Sequence, residues 1–329
     1  MHSLTPEDDV REGEIAHSDA PVWILGGGKT AMDTARAVIT GFPGREVNML
    51  AGSGTYFINR DRSFPSGHRR WWAGKRGYLT FRDLAMRFDG NNQHEVMGWF
   101  RDSGICLSVT PQAKHFLFGQ LSPREARTIK DGLNHLVMDH LVDVVDSDDR
   151  VEMRMRSGSV RAIEPGSWLV NCSGHFFHRD PVPYSPYTSG DGRVASVSPR
   201  STIALLASFN GYFLSHLLML DKLDEVPLYV LDGDQLARQD RDAWACALVA
   251  LHLHNLAVML DEVPREVFAG NGLDFERWFP PARQLLTNVQ FAREHQRVRE
   301  HTAASLDRVR DIHQVRCGPL NAPALSAPG

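Results

Sequence analysis

Three consecutive glycines, Gly26–Gly28, constrain the fold of this chain more than any other feature of its sequence. They follow the short apolar run Pro21–Leu25, which predicts a buried strand. From Lys29 to Ile39 apolar residues recur at helical spacing, which predicts a helix directly after the turn. A strand, a glycine turn and a helix form the phosphate-binding corner of a Rossmann unit. We therefore predict an α/β protein with a Rossmann-type NAD(P)-binding domain around a central sheet.

The glycine run matches the G-x-G-x-x-A form of this corner through Gly26, Gly28 and Ala31. The first glycine permits the turn, the second lets a pyrophosphate approach the backbone, and the small third residue lets the helix lie close to the sheet. Free N–H groups at the start of the helix then face the anion. We predict that the corner binds the cofactor through Gly26, Gly27, Gly28, Lys29 and Thr30.

Two other interpretations of the corner are a glycine turn that binds nothing and a P-loop. Gly28-Lys29-Thr30 resembles the last three residues of a P-loop. A P-loop also requires a glycine five positions before Gly28, where this chain has Trp23 inside the predicted strand. The spacing therefore excludes the P-loop.

The second predicted strand, Glu46–Leu50, bears on the choice between NAD and NADP. An NAD site places a carboxylate about 20 residues past the turn, on the ribose hydroxyls. Here the strand runs on to Ser53 without an acidic residue, and basic residues including Arg60 and Arg62 follow. We predict NADP(H), with Ser53, Arg60 and Arg62 near its 2′-phosphate; a solvated basic loop is an equally compatible interpretation.

Composition narrows the class of protein. The chain has 329 residues, of which 42% are hydrophobic, and a formal net charge of −4, which favours neither nucleic acid nor an anionic membrane as a partner. The four cysteines form no C-x-x-C pair, and we predict reduced thiols in a cytoplasmic protein without a metal site. The N-terminus is acidic and polar, unlike a signal peptide. The uncharged runs 201–220 and 243–260 contain polar residues that are costly in lipid, so we predict buried helices there.

Periodicity and turn residues predict the remaining elements. The segment 51–80 is basic, aromatic and without clear period, which predicts a long inserted loop. Ser122 and Glu125 predict a capped helix extending to about Val137. The other predicted elements are a helix over 81–104, a strand over 141–145, a hairpin over 150–163, a strand over 167–174, and helices over 201–220, 241–262 and 274–313.

These elements predict four regions along the chain. Residues 1–20 are linker-like, and 21–174 form the NAD(P)-binding domain that carries the inserted loop 51–80. Residues 175–317 form a mostly helical C-terminal region. The proline- and alanine-rich segment 318–329 predicts a disordered tail.

The order of these motifs resembles flavin-containing monooxygenases and related flavoproteins with two dinucleotide-binding domains. The glycine corner, with Asp33 in the first helical turn, is similar to the NADPH corner of that family. His2-Ser3 resembles the end of the family's F-x-G-x-x-x-H-S signature. Cys172-Ser173-Gly174 resembles the small-residue turn that leads back to the FAD domain. The resemblance covers roughly residues 1–220, and it implies that Asp33, Cys172, Ser173 and Gly174 also contribute to cofactor binding.

The chain departs from the family pattern in one respect: the G-x-G-x-x-G fingerprint expected for the FAD unit does not occur in the sequence. Three explanations remain open, namely a shortened chain, a flavin-binding half on another chain, or a protein that has lost its flavin. The resemblance implies an NADPH-dependent flavoprotein oxidoreductase, monooxygenase-like, that passes hydride from NADPH to FAD and acts on a small-molecule substrate. The alternatives are a non-catalytic NAD(P)-binding module or remnant, and a flavin-free NADP dehydrogenase.

Residues that perform the chemistry are not identified by the sequence. His175 and His178 are candidates for lining the flavin or nicotinamide pocket, and an ordinary surface loop is the alternative. No general acid, general base or nucleophile is assigned. As partners we expect a homo-oligomer or a flavin-binding chain, and neither nucleic acid nor a membrane.

Overall fold

The computed structural model describes residues 2–4, 13–147, 150–174, 183–184, 186–189, 193–223, 225–268, 273 and 275–320. The strands, in chain order, are β1 His2–Leu4, β2 Val22–Leu25, β3 Val47–Leu50, β4 Thr55–Asn59, β5 Cys106–Ser108, β6 His115–Leu121, β7 His135–Val137, β8 Leu141–Ser147, β9 Arg150–Met155, β10 Val160–Ile163, β11 Trp168–Asn171, β12 Tyr229–Leu231 and β13 Cys317–Pro319. The helices are α1 Lys29–Gly41, α2 Arg60–Ser63, α3 Gly77–Arg87, α4 Gln93–Phe100, α5 Pro123–Gly132, α6 Ala207–Met219, α7 Gly233–Gln239, α8 Arg241–Glu262, α9 Arg265–Phe268 and α10 Pro281–His313.

The chain divides into two compact units. The first comprises Met1–Asp61 and Arg101–Phe176, and the second comprises Arg62–Phe100 and Phe177–Gly329. Residues 62–100 thus belong to the second unit, whereas the sequence pattern placed them in the 21–174 domain. The physical reason is that α3 and α4 pack against α8, and helical periodicity does not reveal which unit a helix packs against.

The first unit is organised around a parallel five-stranded sheet of order β1-β11-β2-β3-β7. Helix α1 connects β2 to β3, so the unit is a Rossmann-like α/β arrangement, as predicted. The apolar core between α1 and the sheet includes Ile24, Met32, Val38 and Met49, all of them almost fully buried. The mixed α/β fold with a helical C-terminal region is thereby confirmed.

Two smaller sheets complete the first unit. Strands β8, β9 and β10 form an antiparallel meander, which confirms the predicted hairpin. Strand β4 pairs with β5 and β6, so the prediction of an irregular loop over 51–80 was wrong. Tyr56-Phe57-Ile58 is an apolar run too short to stand out by periodicity, and its three side chains are buried.

The helix predicted to reach Val137 instead ends at Gly132, and β7 follows. Its N-terminus is as predicted, because Glu125 N–H donates to Ser122 Oγ at 3.1 Å and Ser122 N–H donates to Glu125 Oε2 at 2.8 Å. At the other end, Asn134 Oδ1 accepts from the Val47 N–H at 2.9 Å. This bond attaches the chain to β3 and starts a strand where the apolar pattern had predicted more helix.

Helix α8 forms the centre of the second unit and packs against α3, α4, α7 and α10. It is long and apolar enough to span a membrane by composition, but 83% of its most apolar window is buried inside the unit. Helices α6 and α10 are shorter than predicted. Asn210 Oδ1 accepts from the Ile203 N–H at 2.7 Å and holds the chain before α6 out of a helix. Pro280 and Pro281 place the start of α10.

Two terminal segments differ from the predictions. Strand β1, in the segment predicted as a linker, pairs with β11 from His2 to Leu4. Gly318 and Pro319, predicted to be disordered, lie in β13, which pairs with β12. Leu320 is 4% exposed in the core of the second unit, and this burial explains why the chain is ordered there. Residues 321–329 lie outside the described residues.

Candidate dinucleotide-binding corner

The glycine run lies at the carboxyl edge of the parallel sheet, directly after β2. Because β11, β2 and β3 are parallel neighbours, the segments 26–28, 51–53 and 172–174 all leave the sheet at the same edge. Strand β2 is also where the strand order reverses, since α1 leads from it to β3 on one side and β11 lies on the other. Open α/β sheets bind ligands in the crevice at such a switch point.

Gly26 is required by the packing of the corner. Its φ is +128°, which favours glycine. A Cβ on Gly26 would lie 2.6 Å from the carbonyl oxygen of Cys172, so β2 and β11 can approach this closely only without a side chain. The Gly26 N–H donates to the Leu50 carbonyl at 2.8 Å. Gly26 thus joins the ends of three strands and does not offer its own amide to a ligand.

Gly27 and Gly28 differ in what surrounds them. A Cβ on Gly27 would lie 2.5 Å from the Ala51 carbonyl oxygen, whereas a Cβ on Gly28 would have nothing within 4 Å. Gly28 is therefore not required by packing, and the space beside it is open to a ligand. This is the position at which the Rossmann pattern requires glycine for the approach of a pyrophosphate.

Helix α1 begins at Lys29 with no side-chain cap on its N-terminus. The first N–H groups of a helix have no intrahelical partner, and together with the helix dipole they favour an anion. Ala31 is fully buried and lets the helix start close to the sheet. Asp33 forms an ion pair with Lys29 one turn along the exposed side of α1, so these two residues partly neutralise each other beside the predicted anion site.

Cys172 follows β11 and is a buried packing residue of the corner. It is 5% exposed, and its Sγ lies 3.5 Å from Thr34 Oγ1 on α1. Burial raises the pKa of the Cys172 thiol, and the Thr34 hydrogen bond opposes this. Ser173 donates from both its N–H and its hydroxyl to Asn171 Oδ1, at 3.1 and 2.6 Å. Gly174 then turns with a φ of +69°.

The loop after β3 contains Ser53, whose Oγ lies 3.1 Å from His140 Nε2. Gly52 has a φ of +62°, and a Cβ there would lie 2.9 Å from Cε1 of the same imidazole. His140 therefore supports the loop that follows β3. Sequence reasoning missed His140 because it lies 87 residues from Ser53 in the chain and no local pattern connects the two.

The two predicted arginines lie in different units. Arg60 pairs with Glu125 at 3.1 Å, and Arg36 of α1 contacts the same carboxylate at 3.0 Å. Burial raises the pKa of Glu125, but the Ser122 cap and Arg60 outweigh it and hold the pKa below its usual value. Two guanidinium groups on one carboxylate leave this cluster with a net positive charge. Arg62 lies in the second unit, where its carbonyl accepts from the Lys75 N–H at 2.8 Å.

Strand β6 brings further residues near the start of α1 that the sequence did not single out. A Cβ on Gly119 would lie 2.9 Å from the Phe57 ring and 3.4 Å from Cβ of Lys29. The preceding Phe118 has a φ of +58°, in the left-handed region, and the pairing of β4 with β6 shifts register at this point. A β-bulge of this kind redirects side chains beside a functional edge. His175 and His178 lie outside the described residues.

No protein-family model and no curated protein matches the sequence. Among solved structures, the chain is similar to an L-lysine 6-monooxygenase from Pseudomonas syringae, with 14% identity and a TM-score of 0.30 over 52% of this chain and 40% of that one. It is also similar to an ornithine N-hydroxylase from Kutzneria sp. 744 described with reduced FAD, NADP+ and L-ornithine, with 14% identity and a TM-score of 0.31 over 53% and 40%.

A third similar structure is the FAD-bound cadaverine monooxygenase of desferrioxamine biosynthesis from Erwinia amylovora, with 11% identity and a TM-score of 0.33 over 78% of this chain and 55% of that one. The chain thus spans about 40% of the length of the first two. TM-scores this low do not establish a shared fold. The descriptions of the fold and of the corner therefore rest on the structure of this chain alone.

Proposed function

We propose that the first unit binds NADP(H) at the glycine corner and that the chain belongs to a monooxygenase-like flavoprotein oxidoreductase. The single observation that supports a nucleotide site here is the difference between the surroundings of the three glycines. Gly26 and Gly27 are enclosed by the carbonyls of Cys172 and Ala51, while Gly28 faces open space beside an uncapped helix N-terminus. A pyrophosphate in that space accepts hydrogen bonds from the first N–H groups of α1.

The choice of NADP(H) over NAD(H) rests on charge. The loop after β3 has no carboxylate of its own to bind ribose hydroxyls, and the cluster of Arg36, Arg60 and Glu125 carries a net positive charge. Both features favour a 2′-phosphate. Ser53, held by His140, provides a hydroxyl at this loop.

The flavoprotein part of the proposal depends on the sequence resemblance. In such enzymes NADPH supplies hydride to a flavin, and the protein binds and orients the two cofactors. Among the described residues, only Gly26–Ala31 combines a G-x-G-x-x-A/G run with a strand before it and a helix after it, so these residues offer no second corner for the ADP part of FAD. The second candidate function is a non-catalytic NAD(P)-binding module, for which the corner by itself would suffice. A small-molecule substrate, a homo-oligomer or flavin-binding partner chain, and a cytoplasmic location remain predictions.

The test is a titration of the full chain with NADPH and, separately, NADH. Trp23 lies in β2 directly before the corner, so intrinsic fluorescence and the melting temperature both report on binding. We expect NADPH to bind at least about tenfold more tightly than NADH, since one ionic hydrogen bond to the 2′-phosphate has about this value. If neither nucleotide changes either signal, the nucleotide site is refuted.

A second measurement separates the two candidate functions. The protein is mixed with FAD and NADPH without oxygen, and flavin absorbance is followed over time. Bleaching faster than in a protein-free control supports the oxidoreductase. NADPH binding without bleaching supports the non-catalytic module.

A further inference from the structure

The second unit contains a cavity of about 790 Å³, lined by α3, α6, α8, α9 and α10. Cavities that bind small molecules have volumes of roughly 300–1,000 Å³. All of its lining residues belong to the second unit. The cavity therefore shares no lining residue with the glycine corner, and nucleotide binding at the corner does not explain it.

The wall of this cavity is mostly apolar and rich in aromatic rings. Phe81 of α3, Phe209 of α6, Phe268 of α9 and Phe291 of α10 all line it, and each keeps part of its surface exposed. The Phe291 ring meets Tyr78 edge-on, with centroids 4.8 Å apart, which fixes its orientation. Aromatic side chains held in place with accessible surface are the usual contacts of an apolar ligand.

The charged groups at the cavity already have partners within the unit. Asp261 lies 3.2 Å from His295 Nε2 and 3.3 Å from Arg299 Nη1. Arg76 is 2% exposed, and its Nη1 donates to the main-chain carbonyls of Arg283 and Gln284, the latter at 3.0 Å. The Asp261 carboxylate is thus balanced by cations, and Arg76 already donates to main-chain oxygens, so the mostly apolar wall compensates a charged ligand poorly for its lost hydration.

One polar side chain of the wall lacks such a partner. His252 of α8 packs edge-on against Phe209 with ring centroids 5.1 Å apart. Its Nδ1 is buried and has no hydrogen-bond partner among the described residues. Burial lowers the pKa of His252 to about 4, so the ring is neutral at physiological pH. A neutral imidazole donates one hydrogen bond and accepts one, which suits a hydroxyl or carbonyl group better than an ion.

We propose that this cavity is a binding site for an uncharged, largely apolar small molecule that carries at most one or two hydrogen-bonding groups. Its apolar part contacts the phenylalanine rings, and its polar group lies beside His252. The site goes beyond the proposed nucleotide function, since it lies in a different unit and its occupancy does not require NADP(H).

The experiment uses the full chain and the neutral fluorophore N-phenyl-1-naphthylamine, excited directly and without added nucleotide. From the ligand efficiency of molecules of this size, we expect a dissociation constant of about 100 µM or below. Ala292 lines the cavity from an exposed position of α10, and Ala304 is an exposed alanine of the same helix that does not line it. Ala292→Trp fills the cavity, and Ala304→Trp is the matched control.

We expect Ala292→Trp to weaken dye binding by about tenfold or more and Ala304→Trp to change it by less than about twofold, because only the first places bulk in the ligand volume. Asn288→Trp, at another exposed lining position one turn away, is a second filling variant should the first reduce the melting temperature. Unchanged binding in both folded filling variants, or no binding to the wild type, overturns the proposal.

Competition against the bound dye tests the charge of the ligand. We expect 1-naphthol to displace the dye at concentrations about tenfold lower than 1-naphthoate, since the carboxylate loses its hydration on entering a mostly apolar cavity. His252→Phe keeps an aromatic ring at this position but removes the hydrogen-bonding nitrogens. We expect it to reduce the affinity for 1-naphthol about fivefold and to leave the affinity for naphthalene unchanged. Equal displacement by 1-naphthol and 1-naphthoate would contradict the proposed ligand class.

Discussion

Alanine substitutions in the glycine run separate packing from ligand binding, because neighbouring glycines have opposite surroundings. Gly26→Ala puts a Cβ 2.6 Å from the Cys172 carbonyl oxygen at a φ of +128°. The backbone conformation costs about 1–3 kcal/mol, and the clash with the main chain of Cys172, directly after β11, adds about 1–3 kcal/mol. We expect the free energy of unfolding to fall by about 2–6 kcal/mol, which is a large part of the stability of a typical domain.

For Gly28→Ala we expect the opposite, namely little change in stability and weaker binding of NADPH. Its φ is −82°, and the added Cβ has nothing within 4 Å, so the free energy of unfolding should change by no more than about 1 kcal/mol. The methyl group does enter the space that we assign to the pyrophosphate. Losing one charge-assisted hydrogen bond there weakens NADPH binding by about tenfold or more.

Gly41→Ala is the matched control. Gly41 ends the same helix, and a Cβ there also has nothing within 4 Å, so neither stability nor NADPH binding should fall. Urea unfolding followed by circular dichroism gives the stabilities, and fluorescence titration gives the affinities. The reasoning is refuted if Gly28→Ala and Gly41→Ala bind NADPH equally well, or if Gly26→Ala is as stable as the wild type.

Three further predictions concern stability. His254 is 3% exposed and burial lowers its pKa to about 4 from 6.5, so its contribution is complete above pH 6.5 and decreases as the pH falls towards 4, by at most about 1.4 kcal/mol per pH unit. The free energy of unfolding of His254→Asn, measured by urea titration, should depend less on pH over this range than that of the wild type. The same pH dependence in both proteins would contradict the role assigned to His254. Asn255 is fully buried and bonds both main-chain groups of Tyr229, at 2.8 and 2.7 Å; Asn255→Leu should cost about 3 kcal/mol or more, and a loss below about 1 kcal/mol by the same assay would show that these bonds contribute little. Ser122→Ala removes the cap shared with Glu125 and should lower the stability by about 1 kcal/mol, detectable as a lower melting temperature.

The parts of the fold that the sequence predicted have local causes. The corner, the Ser122 cap and the hairpin over 150–163 each depend on residues a few positions apart, so a single sequence contains the whole signal. Strands β4, β5 and β6 were missed because their pairing joins residues about 50–65 positions apart along the chain. Short strands without alternation give no local sign of such partners.

The residues of the candidate site were likewise predictable only where their sequence signal is local. The glycines and the small residue Ala31 were identifiable because the geometry of a phosphate corner demands particular residue types at fixed spacing. The pairing of Arg60 with Glu125 and the contact of Ser53 with His140 were not, since both depend on tertiary packing. The basic residues after β3 therefore indicated a positive charge in this region, but the sequence did not show which residues these side chains contact.

The chain passes between the two units three times, at residues 61–62, 100–101 and 176–177, and this affects how either unit can be produced alone. A fragment ending after β11 would contain α3 and α4 but lack α8, against which both pack, and α10, against which α3 packs. Tyr78 would lose Glu294, its hydrogen-bond partner at 3.2 Å, and the Phe88 carbonyl would lose His301. Expression of the first unit by itself consequently requires excising 62–100 and joining the flanking segments with a linker, and a simple C-terminal truncation should yield aggregates.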